Sequence, residues 1–506
     1  MKLDINRRDF LKFAGMLPLG LFAPKLDKSF GVKSDKKNVI IVVFDALSAY
    51  NISLHGYARE TTPNIARLAE RSTVYHNHYA GSNYTTSGTA TLLTGTLPWT
   101  HRALKPNGTV SADRVDHNIF SVFKDYYRIA YSHNEWVNTL FDQFKEDIEE
   151  WIPREQLTLF SSDRLVQKIF PNDRDIASVS WVRNIKIQQE GYAYSLFLSK
   201  LISSIEEKYT SEYRLQFPRG LPTARADGGF LLEHAVDWIV ERIASVPGPV
   251  FGYFHFLPPH DPYRTHREFT GQFRNDGFQS IVKPLDIFAK DQSDDAQVLR
   301  QYYDEFILYV DREFGRMFDL LEKSGQLENT ILVLTSDHGE MFERGTAGHV
   351  TDSLYEPLIR IPLLIFEPGM KNRTDIYEPT SAVDLVPTLA YLSSHPTPQW
   401  NEGTLLPPYS QTDSSIDRNI YAVRSYDAED AKPLSQASVI IVKGRYKLHY
   451  YFGYSEIDGK ELVKLFDVKD DPEELNDLSR LEKDIASEML NELKTKLVEV
   501  NKPYIP

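Results

Sequence analysis

The chain has 506 residues, of which 42% are hydrophobic, enough to bury a large core and to divide it between a larger and a smaller domain. Its formal net charge of −14 argues against nucleic acid as a partner, because phosphate backbones are held by clustered lysines and arginines. It contains no cysteine, which excludes disulfides, thiolate metal sites and a cysteine nucleophile.

The N-terminus has the pattern of an export signal. Arg7 and Arg8 are followed by Phe-Leu-Lys and by a short apolar run from Phe13 to Ala23, which is typical of a twin-arginine signal peptide. A run of about ten apolar residues is too short to span a membrane, which takes roughly 20. We therefore expect a signal peptide at residues 1–24, a linker at residues 25–37, and no membrane span in the mature chain. The expected partner is the twin-arginine export machinery, and the expected location is the periplasm or the cell exterior.

The folded part is expected to begin with a buried strand from Asn38 to Phe44 that ends in an acid, Asp45. Farther along, Thr61 to Asn64 predicts the start of a helix that runs to about Arg71. A buried strand and a helix are thus expected before Thr85.

Hydroxyl residues crowd the start of a short helix that is expected between Thr85 and Gly95. A hydroxyl at a helix start lies where free N–H groups favour an anion, which suits both an alkoxide and a bound phosphoryl or sulfuryl group. Ordinary N-capping by threonine or serine explains the same composition equally well. The pattern alone leaves both interpretations open.

Residues from about 141 to 247 carry no motif, and we interpret most of them as a helical insertion that covers the site. Their one clear signal is an amphipathic helix from about Phe230 to Ile243. A strand over Val250–Phe256 follows, then a proline-rich turn that holds His260, although a surface histidine in a turn is the alternative. A long helix from about Asp295 to Lys323 completes a strand–helix–strand unit.

The most informative stretch runs from Thr330 to Glu340. Its apolar residues show no helical period, which predicts a central parallel strand that is buried on both faces and ends in Asp337 and His338. Ligands in open α/β sheets bind beyond the carboxyl ends of such strands. We therefore expect Asp45, Asp337 and His338 to meet as metal ligands. Helix capping by Asp337 and His338 is the alternative.

Taken in order, these motifs resemble the sulfatase branch of the alkaline phosphatase superfamily. The resemblance extends from about Asn38 to about Leu478. Besides the motifs above, it rests on matching segments that are Gly348-His349, Ser353 to Glu356, Ile361 to Leu363, Ala382 to Thr388, Gly444 to Lys447, Leu465 to Val468 and Asp470 to Glu473.

The resemblance implies an α/β fold: a large mixed, mostly parallel sheet sandwiched by helices, with a smaller C-terminal α+β subdomain. It predicts a catalytic domain at residues 38–395 and the C-terminal subdomain at residues 396–506.

The chain departs from the family at the nucleophile. Sulfatases of the family use a formylglycine made from cysteine, or sometimes serine, ten residues before the glycine of a Leu-Thr-Gly motif. Counting back from Gly95 reaches Thr85, whose β-methyl group prevents conversion to an aldehyde. Relatives that transfer phosphoglycerol or phosphoethanolamine, and phosphatase-like relatives, use threonine or serine directly. The resemblance thus implies Thr85 as the nucleophile, with Thr86 and Ser87 as alternatives at the same helix start.

The resemblance also implies a metal site. One divalent cation (Mg, Mn, Zn or Ca) would be held by Asp45, Thr85, Asp337 and His338. A single ion is favoured because Ala46 stands where many relatives carry a second polar ligand. In addition, His260 and His349 would hold the remaining substrate oxygens or protonate the leaving group. We expect Glu340 and Glu343 either to be solvated or to support the site residues by hydrogen bonding to them.

We therefore expect an exported, metal-dependent hydrolase that cleaves phospho- or phosphonoesters of a small molecule, a glycan or a lipid headgroup through a covalent threonine intermediate. One alternative is a phosphotransferase that moves a phospho-alcohol group to an acceptor hydroxyl. Another is a sulfuric ester hydrolase without formylglycine. A non-catalytic, surface-binding relative is a further alternative, but Asp337, His338 and the hydroxyl are all retained.

Overall fold

A computed structural model of the protein describes residues 36–159, 204–223, 229–289, 295–410, 418–425 and 432–505. The predicted signal peptide, most of the linker and the central part of the predicted insertion lie outside the described residues. Residues from Lys37 to Pro506 form one compact unit. The boundary between residues 395 and 396 stays a prediction.

Fifteen strands lie within the described residues and form two sheets and a short ribbon. They are β1 (Asn38–Phe44), β2 (Thr73–Tyr79), β3 (Tyr127–Ser132), β4 (Glu150–Trp151), β5 (Val250–Phe256), β6 (Thr330–Thr335), β7 (Met341–Glu343), β8 (Thr346–Gly348), β9 (Arg360–Phe366), β10 (Thr374–Ile376), β11 (Thr380–Ser381), β12 (Ile420–Arg424), β13 (Ala437–Lys443), β14 (Tyr446–Phe452) and β15 (Glu461–Asp467).

The larger sheet is mixed and mostly parallel, and β1 lies near its centre. Its strand order is β10-β2-β9-β6-β1-β5-β3-β4, with β11 beside β2. Strands β6, β1, β5, β3 and β4 run parallel, whereas β9 is antiparallel to both of its neighbours. Val43 lies opposite both His255 and Thr335. The carboxyl ends of the three central strands therefore lie at one level.

Ten α-helices are described. They are α1 (Pro63–Ala69), α2 (Thr85–Thr94), α3 (Pro98–His101), α4 (Ile119–Val122), α5 (Glu135–Gln143), α6 (Leu232–Ser245), α7 (Ala296–Lys323), α8 (Glu356–Ile359), α9 (Leu385–Leu392) and α10 (Lys483–Asn501).

Helices cover both faces of the larger sheet. Along β1, Ile40 and Val42 join one apolar core, which also contains residues of α1, α6 and α7. Val39 and Ile41 join a second core with residues of α2, α5 and α9. The buried β1 and β6 confirm the prediction of strands covered on both faces, since apolar runs without a period of two suit such strands.

The smaller sheet is antiparallel, with the order β12-β13-β14-β15. Helix α10 packs on it through Met489 and Leu493, which join a core with Val439 and Leu448. The predicted fold class, an alkaline-phosphatase-like α/β architecture with a smaller C-terminal subdomain, is therefore confirmed. Among the helices within the described residues, none is long and apolar enough to cross a membrane.

Candidate active site

Two carboxylates meet at the carboxyl edge of the larger sheet. Asp45 follows β1 and Asp337 lies just after β6, and their exposed fractions are 0% and 1%. Oδ1 of Asp337 accepts a hydrogen bond from the backbone N–H of Ala46 at 3.3 Å, which ties the two strand ends together. Oδ2 of Asp45 accepts one from Nδ2 of Asn134 at 2.6 Å. The structure thus brings together the two acids that the strand pattern singled out.

His338 turns one ring nitrogen towards both carboxylates. Its Nδ1 donates to the carbonyl of Gly339 at 2.9 Å, which leaves the lone pair of the neutral ring on Nε2. Nε2 lies 3.4 Å from Oδ1 of Asp45 and 3.8 Å from Oδ2 of Asp337. A hydrogen bond from the far nitrogen to a carbonyl is the usual arrangement for a metal-binding histidine.

Thr85 is the first residue of α2, and its hydroxyl faces the same cluster. Oγ1 lies 3.3 Å from Nε2 of His338 and 3.5 Å from Oδ1 of Asp45. The N-cap of α2 is Tyr84, which makes no side-chain capping bond, so the Thr85 hydroxyl is not used for capping. It is available for chemistry at the cluster.

The two alternative nucleophiles bond elsewhere. Oγ1 of Thr86 accepts the backbone N–H of Asn107 at 3.1 Å. Oγ of Ser87 bonds to the hydroxyl of Tyr84 and to the carbonyl of Ala103. Of the three hydroxyls at this helix start, the geometry therefore favours that of Thr85.

A glycine lets α2 approach the end of β6. A Cβ atom on Gly88 would lie 2.2 Å from the carbonyl oxygen of Asp337, closer than any such contact allows. At the next residue, Oγ1 of Thr89 donates to Oδ2 of Asp337 at 3.3 Å. Helix α2 thus contacts the acid through backbone and side chain alike.

His260 and His349 complete a group of three imidazoles with His338. The ring centres of His260 and His349 are 4.8 Å apart, and those of His338 and His349 are 4.5 Å apart. Nδ1 of His349 faces Oε1 of Glu340 at 2.8 Å, and Nδ1 of His260 donates to the carbonyl of Asp261 at 2.7 Å. With both Nδ1 atoms bonded, each Nε2 is left to act on a substrate.

The two glutamates expected near the site are both buried. Glu340 contacts Nδ1 of His349, which agrees with the expectation that it supports a site residue. Glu343 instead forms ion pairs with Lys283 at 2.6 Å and with Arg300 at 3.1 Å. The exposed fractions are 0% for Glu340 and 8% for Glu343, so solvation is wrong for both.

His255 is a member of the cluster that the sequence interpretation missed. It lies in β5 with no exposed surface, and its Nε2 is 3.3 Å from Oδ2 of Asp45 and 3.8 Å from Oδ2 of Asp337. The signal was present, since His255 is the one histidine in an otherwise apolar and aromatic buried strand. Only the pairing of β5 with β1 shows that it faces the acids.

The two buried carboxylates of the cluster favour a positive charge beside them. Burial raises the pKa of Asp337, and the nearby Asp45 raises it further. Burial also opposes ionisation of Asp45, but its histidine neighbours, His260 first, hold the pKa of that carboxyl well below its usual range. Burial likewise opposes a charge on His338, yet the two carboxylates raise its pKa to about 9.

These donors fit a divalent cation. One ligand atom each from Asp45, His255 and Asp337 lies within 4.8 Å of the others, and all three side chains are buried. Two buried carboxylates with imidazoles beside them form a donor set for Mg, Mn, Zn or Ca, with imidazole adding preference for the transition-type ions. A cation bound here would take the place of a proton that the buried carboxylates and imidazoles otherwise hold.

Two cavities lie next to His260 and His349. One of about 620 Å³ is lined by His349 and, across it, by Arg264 and Tyr302. A smaller one of about 50 Å³ lies between His260 and Trp136.

Comparison with known protein families shows which family the chain belongs to. Residues 37–394 match the Sulfatase family, and residues 351–503 match the C-terminal region of N-sulphoglucosamine sulphohydrolase. The chain belongs to the sulfatase family. Its members use a divalent metal ion, and the cluster at the sheet edge has the donors for one.

Curated relatives of this family member are distant in sequence. It is 28% identical over 247 residues to a choline-sulfatase of Rhizobium meliloti (strain 1021), a match that covers 44% of this chain and 45% of the relative. It is 22% identical over 483 residues to arylsulfatase K of Homo sapiens, covering 92% and 82%.

Solved structures share the fold over nearly the whole length. The phosphonate monoester hydrolase of Agrobacterium radiobacter has a TM-score of 0.64 at 16% identity, and the superposition covers 93% of this chain and 96% of that one. A second solved structure, of a protein in complex with its substrate D-glucosamine-2-N,6-O-disulfate, has a TM-score of 0.63 at 16% identity. The superposition covers 93% of this chain and 98% of that one. The chain is thus a sulfatase-family hydrolase whose neighbours act on both sulfur and phosphorus esters.

Proposed function

We propose that this sulfatase-family hydrolase cleaves phosphate or phosphonate esters, with Oγ1 of Thr85 as the nucleophile. The observation that supports it is the position of that hydroxyl, 3.3 Å from Nε2 of His338 and 3.5 Å from Asp45 at a helix N-terminus. An unmodified hydroxyl attacks phosphorus directly, whereas the formylglycine of the family's sulfatases cannot form from threonine.

In the first step a bond forms between Oγ1 of Thr85 and phosphorus, and the bond from phosphorus to the leaving oxygen breaks. His260 or His349 donates a proton to the leaving alcohol. The Thr85 hydroxyl loses one proton in the same step, so the number of protons is unchanged overall. Water then attacks phosphorus, the bond to Oγ1 breaks, and the threonine hydroxyl is restored.

The N–H groups at the start of α2 face the negative oxygens of the phosphoryl group, as anions favour helix N-termini. When bound, a divalent cation held by Asp45, Asp337, His338 and Thr85 would offset negative charge and lower the pKa of the hydroxyl. The buried side chains around Thr85 hold its hydroxyl in one orientation, which is how the protein itself contributes.

The test is a comparison of kcat/KM for three esters with one leaving group: 4-nitrophenyl phosphate, the 4-nitrophenyl monoester of phenylphosphonic acid, and 4-nitrophenyl sulfate. Each is assayed with Mg, Mn, Zn or Ca added singly to the full-length mature chain. We expect turnover of a phosphorus ester that is at least a hundredfold faster than that of the sulfate, and loss of this turnover in Thr85→Ala.

The other outcomes identify the alternatives. Preference for the sulfate would favour a sulfuric ester hydrolase without formylglycine. Transfer of the phosphoryl group to added glycerol in place of water, detected by ³¹P NMR, would favour a phosphotransferase. Binding without turnover of any ester would favour a surface-binding relative.

We also propose that the twin-arginine pathway exports the protein. Arg7 and Arg8, outside the described residues, precede the short apolar run that such signals contain. A reporter fused after Lys28 should leave the cytoplasm, and Arg7→Lys with Arg8→Lys should retain it there. Export that survives both substitutions would refute the proposal.

A further inference from the structure

His255 occupies a position that hydrogen bonding leaves unexplained. The residue is buried in β5, yet neither of its ring nitrogens has a hydrogen-bond partner among the described residues. Its Nε2 is 3.3 Å from Oδ2 of Asp45, within reach but outside hydrogen-bonding geometry. A buried polar atom without a partner is costly, and one that also lies beside two carboxylates is explained by a ligand shared with them.

The distances around the cluster are those between ligands of a common ion. An ion with bonds of about 2.1 Å places neighbouring ligands roughly 3 to 3.4 Å from one another. Nε2 of His255 is 3.3 and 3.8 Å from Asp45 and Asp337. Nε2 of His338 is 3.4 and 3.8 Å from the same two acids. Ligands of one ion need not be aligned with each other, which explains close nitrogen–oxygen pairs that form no hydrogen bond.

We propose that His255 is a further protein ligand of the catalytic metal, beside Asp45, Thr85, Asp337 and His338, and that the two imidazoles make the site selective for zinc-type ions. Calcium and magnesium take oxygen ligands, whereas imidazole suits zinc and its transition-metal neighbours. Two imidazoles with two carboxylates therefore favour Zn²⁺ over Ca²⁺ and Mg²⁺. The inference rests on the metal site of the proposed function, and it does not depend on which ester is cleaved.

The chain offers a matched control in His133. This histidine follows β3, is equally buried, and also has no hydrogen-bond partner for its ring nitrogens among the described residues. Its ring stacks on Phe230 with centres 3.9 Å apart, and no ion pair joins it to a described carboxylate. Loss of its imidazole therefore reports the effect of removing a buried histidine that is not a ligand.

The experiment measures metal binding without an activity assay. Wild type, His255→Gln and His133→Gln are stripped by a chelator and reloaded. The affinity for Zn²⁺ and Ca²⁺ is then measured by competition with a chromophoric chelator, and the Co²⁺ absorption spectrum is recorded. We expect wild type and His133→Gln to bind one Zn²⁺ at least a hundredfold more tightly than Ca²⁺. His255→Gln should weaken Zn²⁺ binding at least tenfold and change the Co²⁺ spectrum.

Equal Zn²⁺ affinity and an unchanged spectrum in His255→Gln would overturn the proposal, as would preference of the wild type for Ca²⁺. Should His255→Gln fail to fold, X-ray absorption of the zinc-loaded wild type decides the question. Two imidazoles in the first coordination sphere support the proposal, and one contradicts it. A protein that binds zinc through two imidazoles but cleaves no ester would refute the proposed function alone.

Discussion

The count back from Gly95 assigns Thr85 to the position at which the resemblance predicts a modifiable cysteine, and the chain has no cysteine at all. If its oxygen attacks directly, a slow phosphorus ester should leave a phosphoryl adduct on the peptide that contains Thr85. Thr85→Ala should remove the adduct, whereas Thr85→Ser should keep part of the turnover, because the hydroxyl stays and only the positioning methyl is lost. Tandem mass spectrometry of a quenched digest checks this, and an adduct on Thr86 or Ser87 would contradict it.

His101 shows how burial at a single residue links stability to pH. Burial lowers its pKa to about 3, and its Nδ1 accepts the N–H of Ala103 at 3.0 Å, so only the neutral ring fits. In the unfolded chain the pKa is about 6.5. Below that pH the unfolded chain binds a proton that the folded chain does not. This contribution to stability is therefore complete above pH about 6.5 and is lost as the pH falls towards 3.

His101→Gln should therefore flatten the dependence of the free energy of unfolding on pH. Between pH 4.5 and 6 the slope should fall by up to about 1.4 kcal/mol per pH unit, the value of one proton. Urea unfolding at a series of pH values measures it. The exposed His234 provides the control, since His234→Gln should leave the slope as it is. An unchanged slope in His101→Gln would show that the buried ring takes up a proton in the fold.

At the scale of elements, the contact of helix α2 with the end of β6 sets the distance from the nucleophile to the acids. Gly88→Ala would place a methyl group 2.2 Å from the backbone oxygen of Asp337, so the helix must move away. Overpacking of this kind costs about 1–3 kcal/mol of stability. A displacement of about 1 Å at a reacting group can cost on the order of a hundredfold in rate.

We expect Gly88→Ala to lower kcat at least tenfold while the protein stays folded, measured by steady-state kinetics and circular dichroism. Gly248→Ala is the control, because its Cβ meets nothing closer than Oδ1 of Asn38 at 3.7 Å. Full activity in Gly88→Ala would show that the helix start can shift without moving Thr85.

The same elements show what could be predicted from the sequence. Asp45 and Asp337 follow from a local signal, an apolar run that ends in an acid, whereas the choice of Thr85 came from the family resemblance and its count back from Gly95. His255 does not, because its contact with the acids depends on the register between β5 and β1, which pairs residues more than 200 positions apart. The burial of Glu340 was missed for the same reason, since it arises from the path of the chain after β6.

At the scale of the whole molecule, a buried ionic network joins the smaller sheet to the catalytic part. Nζ of Lys447, on β14, lies 3.0 Å from Oε1 of Glu356, at the start of α8, and 3.0 Å from Oε1 of Glu474. Glu474 also bonds Nε2 of His449 at 2.8 Å and accepts the N–H of Glu356. The tail motifs noted in the sequence, Gly444 to Lys447 and Asp470 to Glu473, thus flank a structural contact rather than a catalytic one.

Removing one partner from such a network leaves charge buried without compensation, which costs about 3–5 kcal/mol. Lys447→Met should therefore lower the free energy of unfolding by about that amount, because Glu356 and Glu474 keep their charges in a dry environment. Guanidinium unfolding followed by tryptophan fluorescence measures it. Lys443→Met is the matched control: Lys443, on the neighbouring β13, pairs with Glu488 and Glu492 at the surface, where such pairs contribute about 1 kcal/mol or less. Equal losses in the two variants would mean that Lys447 does not hold the smaller sheet in place.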